Sequence, residues 1–241
     1  MAITPRQLDV AKRALAATGR KYGVALGGGN ALNIHEQLIH DATGIARATQ
    51  DLDFFVSRQR NVRRAVDAVV AALEDAGYTV DRRDKASGIA ALGFEDTDDE
   101  LAQLIVSYPG DDPPVLVEVE IAHFDYASAV LSPIGPVLSL DDLGGFKTAA
   151  FAGRRELRDP LDVAAFVATG YSPSQLIELA MARDEGLTLE DFAEAAVWVD
   201  ECADELFALY LGDRVGGGEV RDITWMRRML ADWPREPLHT D

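Results

Sequence analysis

The chain has 241 residues, 48% of them hydrophobic, and sets 23 Lys and Arg against 41 Asp and Glu, for a formal charge of −18. Such a length buries a substantial core in one large domain or two small ones, and the charge excludes a protein that coats nucleic acid by neutralising phosphates along its whole surface. The one cysteine, Cys202, excludes an internal disulfide framework, and no apolar run approaches the roughly 18 residues of a signal core or membrane span, so the expectation is a soluble, cytoplasmic, acidic protein.

The first helix is predicted from Thr4-Pro5, a capping residue followed by proline in the first turn. Leu8, Ala11 and Leu15 recur at helical spacing, and Gly19 reads as the stop. A short strand over 22–26 leads into Gly27-Gly28-Gly29 and a helix over 30–40. A loop over 41–50 carries Arg47 and Thr49 and ends at the strand Asp51-Leu52-Asp53-Phe54-Phe55-Val56. Val62, Val66, Val69, Val70 and Leu73 form one stripe of an amphipathic helix over 60–76, with Gly77 beyond it. Strands are expected at 78–80, 89–94, 101–108 and 115–121, with the acidic stretch 95–100 as a solvated turn. From about Leu140 onward the strand signals give way to helices at 141–152, 160–169, 172–183, 188–211 and 222–233, and Gly216-Gly217-Gly218 reads as a flexible break.

One βα unit followed by strands in succession is the pattern of a mixed sheet, so the fold class expected is α+β, a mixed β-sheet with helices and then an all-helical C-terminal half. The division falls at 1–138 and 139–241, the second part completing the active-site cleft of the first.

The chemistry gathers in three places. Successive strand residues point to opposite faces, so Asp51 and Asp53 share a face. Two neighbouring carboxylates ask for a cation between them, and magnesium takes one or two carboxylates together with substrate phosphates. The glycines before the helix let a backbone approach a phosphate and turn the free N–H groups of a helix start toward it. In 115–121 (VLVEVEI), Val117, Val119 and Ile121 share one face while Glu118 and Glu120 share the other. Should this strand lie beside Asp51 and Asp53, either glutamate completes a three-carboxylate cluster able to hold two metals about 3.5–4 Å apart; an ordinary solvated strand face is the bland reading. Lys147, on a mostly apolar helix, either snorkels to solvent or points its ammonium into a cleft. Arg154, Arg155 and Arg158 form a basic cluster ahead of Asp159 and Asp162, which pair with those arginines or assist catalysis.

The order of motifs, GGGNAL at 27–32, then Arg47-x-Thr49-x-Asp51-Leu52-Asp53-Phe54-Phe55, VEVEI, Lys147 and Arg158-Asp159-Pro160-Leu161-Asp162-Val163, resembles the AbiEii/AbiGii family of nucleotidyltransferase toxins. That family lies within the DNA-polymerase-β-like nucleotidyltransferase superfamily and includes mycobacterial toxins that modify transfer RNA. The resemblance covers roughly 22–166. It implies a phosphate-cradling loop at Gly28 and Gly29, and metal-binding aspartates at Asp51 and Asp53 with Glu120 as third carboxylate. It further implies nucleotide contacts from Arg47 and Thr49, a triphosphate contact from Lys147, and a late acidic motif at Asp159 and Asp162. Where many superfamily members carry a Ser or Thr hydroxyl for a phosphate, this chain has Asn30, whose amide N–H₂ offers donors instead. The implied cofactor is magnesium, two ions, and the implied substrate a nucleoside triphosphate. The implied acceptor is RNA, in particular the acceptor end of transfer RNA, with a cognate antitoxin as protein partner.

Other chemistries are not legible. No Gly-Lys-Ser/Thr follows the glycines, and a Rossmann frame begun at Gly27 puts Leu32 where its last glycine belongs. His35 and His40 are off a common helical face, His35 reading as a surface or partly packed residue. His123 lies just past the acidic strand. Cys202, spaced helically with Phe192, Val199 and Leu206, reads as a small core residue. Two alternatives stand beside RNA modification: transfer to a hydroxyl of a small molecule or protein, which the −18 charge favours, and a catalytically silent nucleotide- or antitoxin-binding module.

Overall fold

The structure is a computed structural model that describes residues 3–38, 51–57, 61–83, 101–211, 215–216, 219–220 and 223–235. His40 at the end of the expected helix, the expected loop over 41–50 with Arg47 and Thr49, the expected strand at 89–94 and the acidic turn after it lie outside the described residues. The chain separates into two compact units, one of Met1–Ile34 with Arg47–Ser139 and one of His35–Ala46 with Leu140–Asp241.

In the first unit α1 (Pro5–Tyr22) is started by a capping box, in which the Thr4 side chain accepts from the Gln7 N–H and the Gln7 side chain accepts from the Thr4 N–H. It runs past Gly19, whose bare Cα lets the Pro136 ring sit against it. The helix ends instead at Gly23, in the left-handed conformation with φ +65°. Then come β1 (Val24–Leu26), α2 (Gly28–Leu38), β2 (Asp51–Val56), α3 (Val62–Asp75), β3 (Thr79–Arg83), β4 (Leu101–Ser107), β5 (Leu116–His123), β6 (Ala129–Ser132) and β7 (Gly135–Leu138).

The seven strands form one sheet in the order β3-β4-β5-β2-β1-β7-β6. It is mixed, as expected: β2 runs parallel to β5 and β1 to β7, and the remaining neighbours are antiparallel. The hairpin β6–β7 was not among the expected strands. Alternation decides the core. Leu52, Phe54 and Val56 of β2, Leu104 and Val106 of β4, and Val117, Val119 and Ile121 of β5 are buried. Val10, Ala14 and Leu15 of α1 and Val66, Val69 and Leu73 of α3 are buried with them. Each such large side chain taken from water contributes about 1.5–3 kcal/mol, so β2 cannot slip by one residue without turning Leu52, Phe54 and Val56 outward.

The second unit is helical, with α4 (Leu140–Gly153), α5 (Asp159–Ala168), α6 (Pro173–Met181), α7 (Leu189–Glu201), α8 (Asp204–Leu211) and α9 (Ile223–Met229). Phe151 meets Trp233 edge to face at 5.5 Å, and the Trp233 indole N–H donates to the Phe192 carbonyl. One correction arises here: the helix expected over 188–211 is broken at Cys202, half-buried with ψ 136°. Of the glycine stretch, Gly216 lies in a two-residue ladder, Val215–Gly216 against Glu219–Val220, and Gly217 and Gly218 lie outside the described residues.

Candidate active site

Strand register brings the acidic residues together. Asp51 pairs with Glu118 and Asp53 with Glu120 across the parallel β2–β5 ladder, on the face opposite Leu52 and Val119. Neighbouring strands lie about 4.8 Å apart, and like charges placed so destabilise a sheet unless donors or cations answer them. One answer comes from β4: Gln103, in register with Glu120, donates its amide N–H to a Glu120 carboxylate oxygen. Gln103 is a site neighbour the motif reading did not single out. Its signal was present, since alternation in 101–107 puts this polar side chain on the face opposite Ala102 and Leu104. Glu118 is exposed, whereas Asp51, Asp53 and Glu120 are half-buried.

The glycine turn is fitted to the aspartates. The Gly27 N–H donates to the Asp53 carbonyl at 2.7 Å, and Gly27's own carbonyl accepts the first bond of α2 from Ala31. The helix therefore starts at Gly28, two residues earlier than the sequence suggests. Gly28 has φ +59°, and a Cβ there would fall 1.6 Å from Asp53 Oδ2; one on Gly27 would fall 2.0 Å from the Phe55 ring. These glycines let the helix start pass over the side chains of β2. Asn30 is buried, and its Nδ2 donates to the main-chain carbonyl of Asp51 at 2.7 Å. The amide that the sequence assigns to a phosphate is thus engaged by β2.

The donor set on this face is of hard oxygens, the type magnesium selects. Asp51 and Asp53 fit a cation that draws its other ligands from substrate phosphates, and Gly28, having no Cβ, leaves the Asp53 carboxylate the space it occupies. Glu120 is held by Gln103, and among the described residues no three acidic, Cys or His side chains converge on a common ion position.

In the second unit Lys147 on α4 does not reach for solvent. Its Nζ lies 3.2 Å from Asp162 Oδ2 on α5, with both side chains largely buried. Arg154 grips Asp159 with two hydrogen bonds, of 2.8 and 3.1 Å, and Asp159 also accepts from the Glu156 N–H. Asp159 holds the Arg154 guanidinium proton more tightly than usual. Arg155 and Arg158 pair with Glu194 and Glu156. The basic cluster is therefore largely answered by local acids, and Asp159 organises the turn into α5. A second buried pair, Arg183 on Asp142, joins α4 to the end of α6. It was not expected, since 41 residues separate the two. His35 is buried rather than at the helix surface, and His123 lies 3.5 Å from Asp125.

A family model described as "Nucleotidyl transferase AbiEii toxin, Type IV TA system" matches residues 12–205. The chain belongs to the AbiEii nucleotidyltransferase toxin family. Its activity is accordingly nucleotidyl transfer. No protein of curated function matches it significantly. Among solved structures, JHP933 from Helicobacter pylori superimposes with a TM-score of 0.54 at 17% identity, over 95% of this chain and 90% of that one. A candidate nucleotidyltransferase from H. pylori gives 0.55 at 18% identity, over 94% and 92%. MenT4, a nucleotidyltransferase toxin from Mycobacterium tuberculosis, gives 0.49 at 15%, over 93% and 83%. The likeness of fold rests on the two H. pylori structures, and family membership on the sequence match.

Proposed function

We propose that this enzyme transfers the nucleotidyl group of a nucleoside triphosphate to a hydroxyl of RNA, the acceptor end of transfer RNA, and that a cognate antitoxin restrains it as the toxin of a pair. The observation that carries the reading is the Gly28 turn set directly over the Asp51/Asp53 strand in a chain of this family. In the transfer, the acceptor hydroxyl gives up its proton to solvent and its oxygen bonds to the α-phosphorus, while the bond from that phosphorus to the pyrophosphate oxygen breaks. Asp51 and Asp53, with Glu120 as third carboxylate, would hold two magnesium ions. When bound, these supply positive charge to the phosphate oxygens. Gly28 and Gly29 present helix-start N–H groups to the phosphates. Arg47 and Thr49 take the nucleotide contacts, and Lys147, oriented by Asp162, the triphosphate contact that the resemblance implies.

The test is direct. Purified protein with magnesium and each of the four labelled triphosphates is given a total RNA pool, and Asp53→Ala is run beside it. Label entering RNA of transfer-RNA size, abolished by Asp53→Ala, supports the proposal. A formal charge of −18 opposes RNA outside a local basic patch and favours a second reading, a small-molecule or protein hydroxyl as acceptor. Label passing to those and not to RNA decides for it. Nucleotide binding without transfer to any acceptor indicates a silent module. Growth arrest on expression, relieved by Asp53→Ala and by the antitoxin, separates a toxin from a housekeeping enzyme.

A further inference from the structure

We infer that Asn30 is a positioning residue that fixes the first carboxylate of the site by completing a hydrogen-bond ladder which β1 is too short to finish. The inference rests on the proposal that Asp51 and Asp53 bind metal. The bonds from Ser57 N–H to the Gly23 carbonyl and from Gly27 N–H to the Asp53 carbonyl, with the register Ala25↔Phe55 between them, set the phase of the β1–β2 pairing. In an antiparallel pair, hydrogen-bonded positions alternate, so the carbonyls of Phe55, Asp53 and Asp51 all face the β1 side. Strand β1 stops at Leu26. The chain then turns into α2, and the position that would have answered Asp51 is helical. Phe55 is answered by the strand and Asp53 by the Gly27 N–H. Asp51 is answered by a side chain, Asn30 Nδ2 at 2.7 Å.

An amide is the group this place requires. It is a near copy of the missing backbone N–H, carried on two carbons from the first turn of α2. A serine hydroxyl, one carbon nearer the backbone, stops short. Asn30 is 1% exposed and its Oδ1 has no hydrogen-bond partner among the described residues. The bond that Asn30 donates to Asp51 is thus the contact that fixes this buried side chain against β2. The bond is made just where β2 begins, at the residue that bears the first aspartate. On the other side β5 holds β2 through its whole length. Freed of Asn30, the start of β2 pivots on β5 alone, and Asp51 loses its spacing from Asp53.

The experiment uses the full chain and manganese alone, with no nucleotide and no turnover. Deuterium uptake is read along β2, and Mn²⁺ binding is read by electron paramagnetic resonance. In Asn30→Ala, exchange should quicken at 51–53 while Phe54–Val56, still paired with β1 and β5, stay protected. The Mn²⁺ dissociation constant should rise about 10-fold, as for loss of a group that orients a metal ligand. Asn30→Ser, which keeps a polar group but cannot reach, should behave as Asn30→Ala and carries the test if the alanine variant does not fold. Unchanged exchange at 51–53 with unchanged Mn²⁺ affinity overturns the inference, as does a uniform rise along the chain, which marks general destabilisation. In a separate titration of the same variants with a nucleoside triphosphate, a weakened affinity with β2 still protected and Mn²⁺ binding unchanged overturns it in favour of a phosphate contact. Wild-type protein that binds no Mn²⁺ overturns the metal reading of the carboxylates, and the positioning role falls with it even where exchange at 51–53 quickens.

Discussion

Gly28 and Asp53 share one volume of space: the position of a Cβ on residue 28 lies 1.6 Å from Asp53 Oδ2. Gly28→Ala must therefore move the carboxylate, and it also carries a left-handed backbone cost of about 1–2 kcal/mol. The expected result is a fall in nucleotidyl transfer of about 10²-fold, the scale of a 1 Å misplacement. Transfer rates and urea denaturation of the same preparation measure the two effects.

The Lys147–Asp162 pair predicts an asymmetry. Asp162→Ala leaves an ammonium buried on α4 without its carboxylate, and breaking such a pair costs about 3–5 kcal/mol. Replacing both, as Lys147→Met with Asp162→Leu, should recover most of that stability and none of the activity. Chemical denaturation of Asp162→Ala and of the double variant, with the transfer assay on each, makes the comparison. A double variant as active as wild type would remove Lys147 from the chemistry.

Asp191 gives a pH dependence. Its carboxylate, three residues into the Thr188 capping box, accepts from the Thr188 N–H at 2.7 Å and from its hydroxyl at 2.8 Å. These bonds hold its pKa below the usual carboxylate range. A depressed folded pKa stabilises above the unfolded value, about 3.9, and the contribution is lost as pH falls through the folded value. Asp191→Ala should lower stability by about 1 kcal/mol at pH 7. That difference should close below about pH 3.9, as seen in thermal denaturation of both proteins across the acid range.

Arg227 closes the break between α7 and α8. Its guanidinium donates to the Val199 carbonyl at 2.8 Å, to the Cys202 carbonyl at 3.0 Å and to Asp204 at 2.7 Å. Arg227→Ala should cost about 1–3 kcal/mol and raise the rate at which Cys202 reacts with a thiol reagent. Arg227→Lys should rescue little, since an ammonium cannot reproduce the planar fork.

Such ties explain what was legible and what was not. The alternations in 51–56 and 115–121 gave the face of every residue, and the mixed sheet followed from strands in succession. The adjacency of the two acidic strands remained conditional, because nothing local states which strand is whose neighbour. The break at Cys202 was invisible, since the residue that caps it stands 25 positions later. Lys147 read as snorkelling or cleft-facing, and the choice was made by Asp162 on another helix. Asn30 read as a substitute for a hydroxyl. That it is a substitute for a strand's N–H depends on where β1 stops, which no motif records.

The division into two units places all three tryptophans, Trp198, Trp225 and Trp233, in the helical one. The unit bearing the aspartates has none, and holds Tyr22, Tyr78, Tyr108 and Tyr126. Excitation at the red edge of the ultraviolet band thus lights the helices alone, with Trp225 and Trp233, the latter packed on Phe151, as buried reporters. The chain carries its own two-colour optical readout: tryptophan emission follows the helices, tyrosine absorbance weighs toward the sheet, and a lesion in the glycine turn registers first in the second signal.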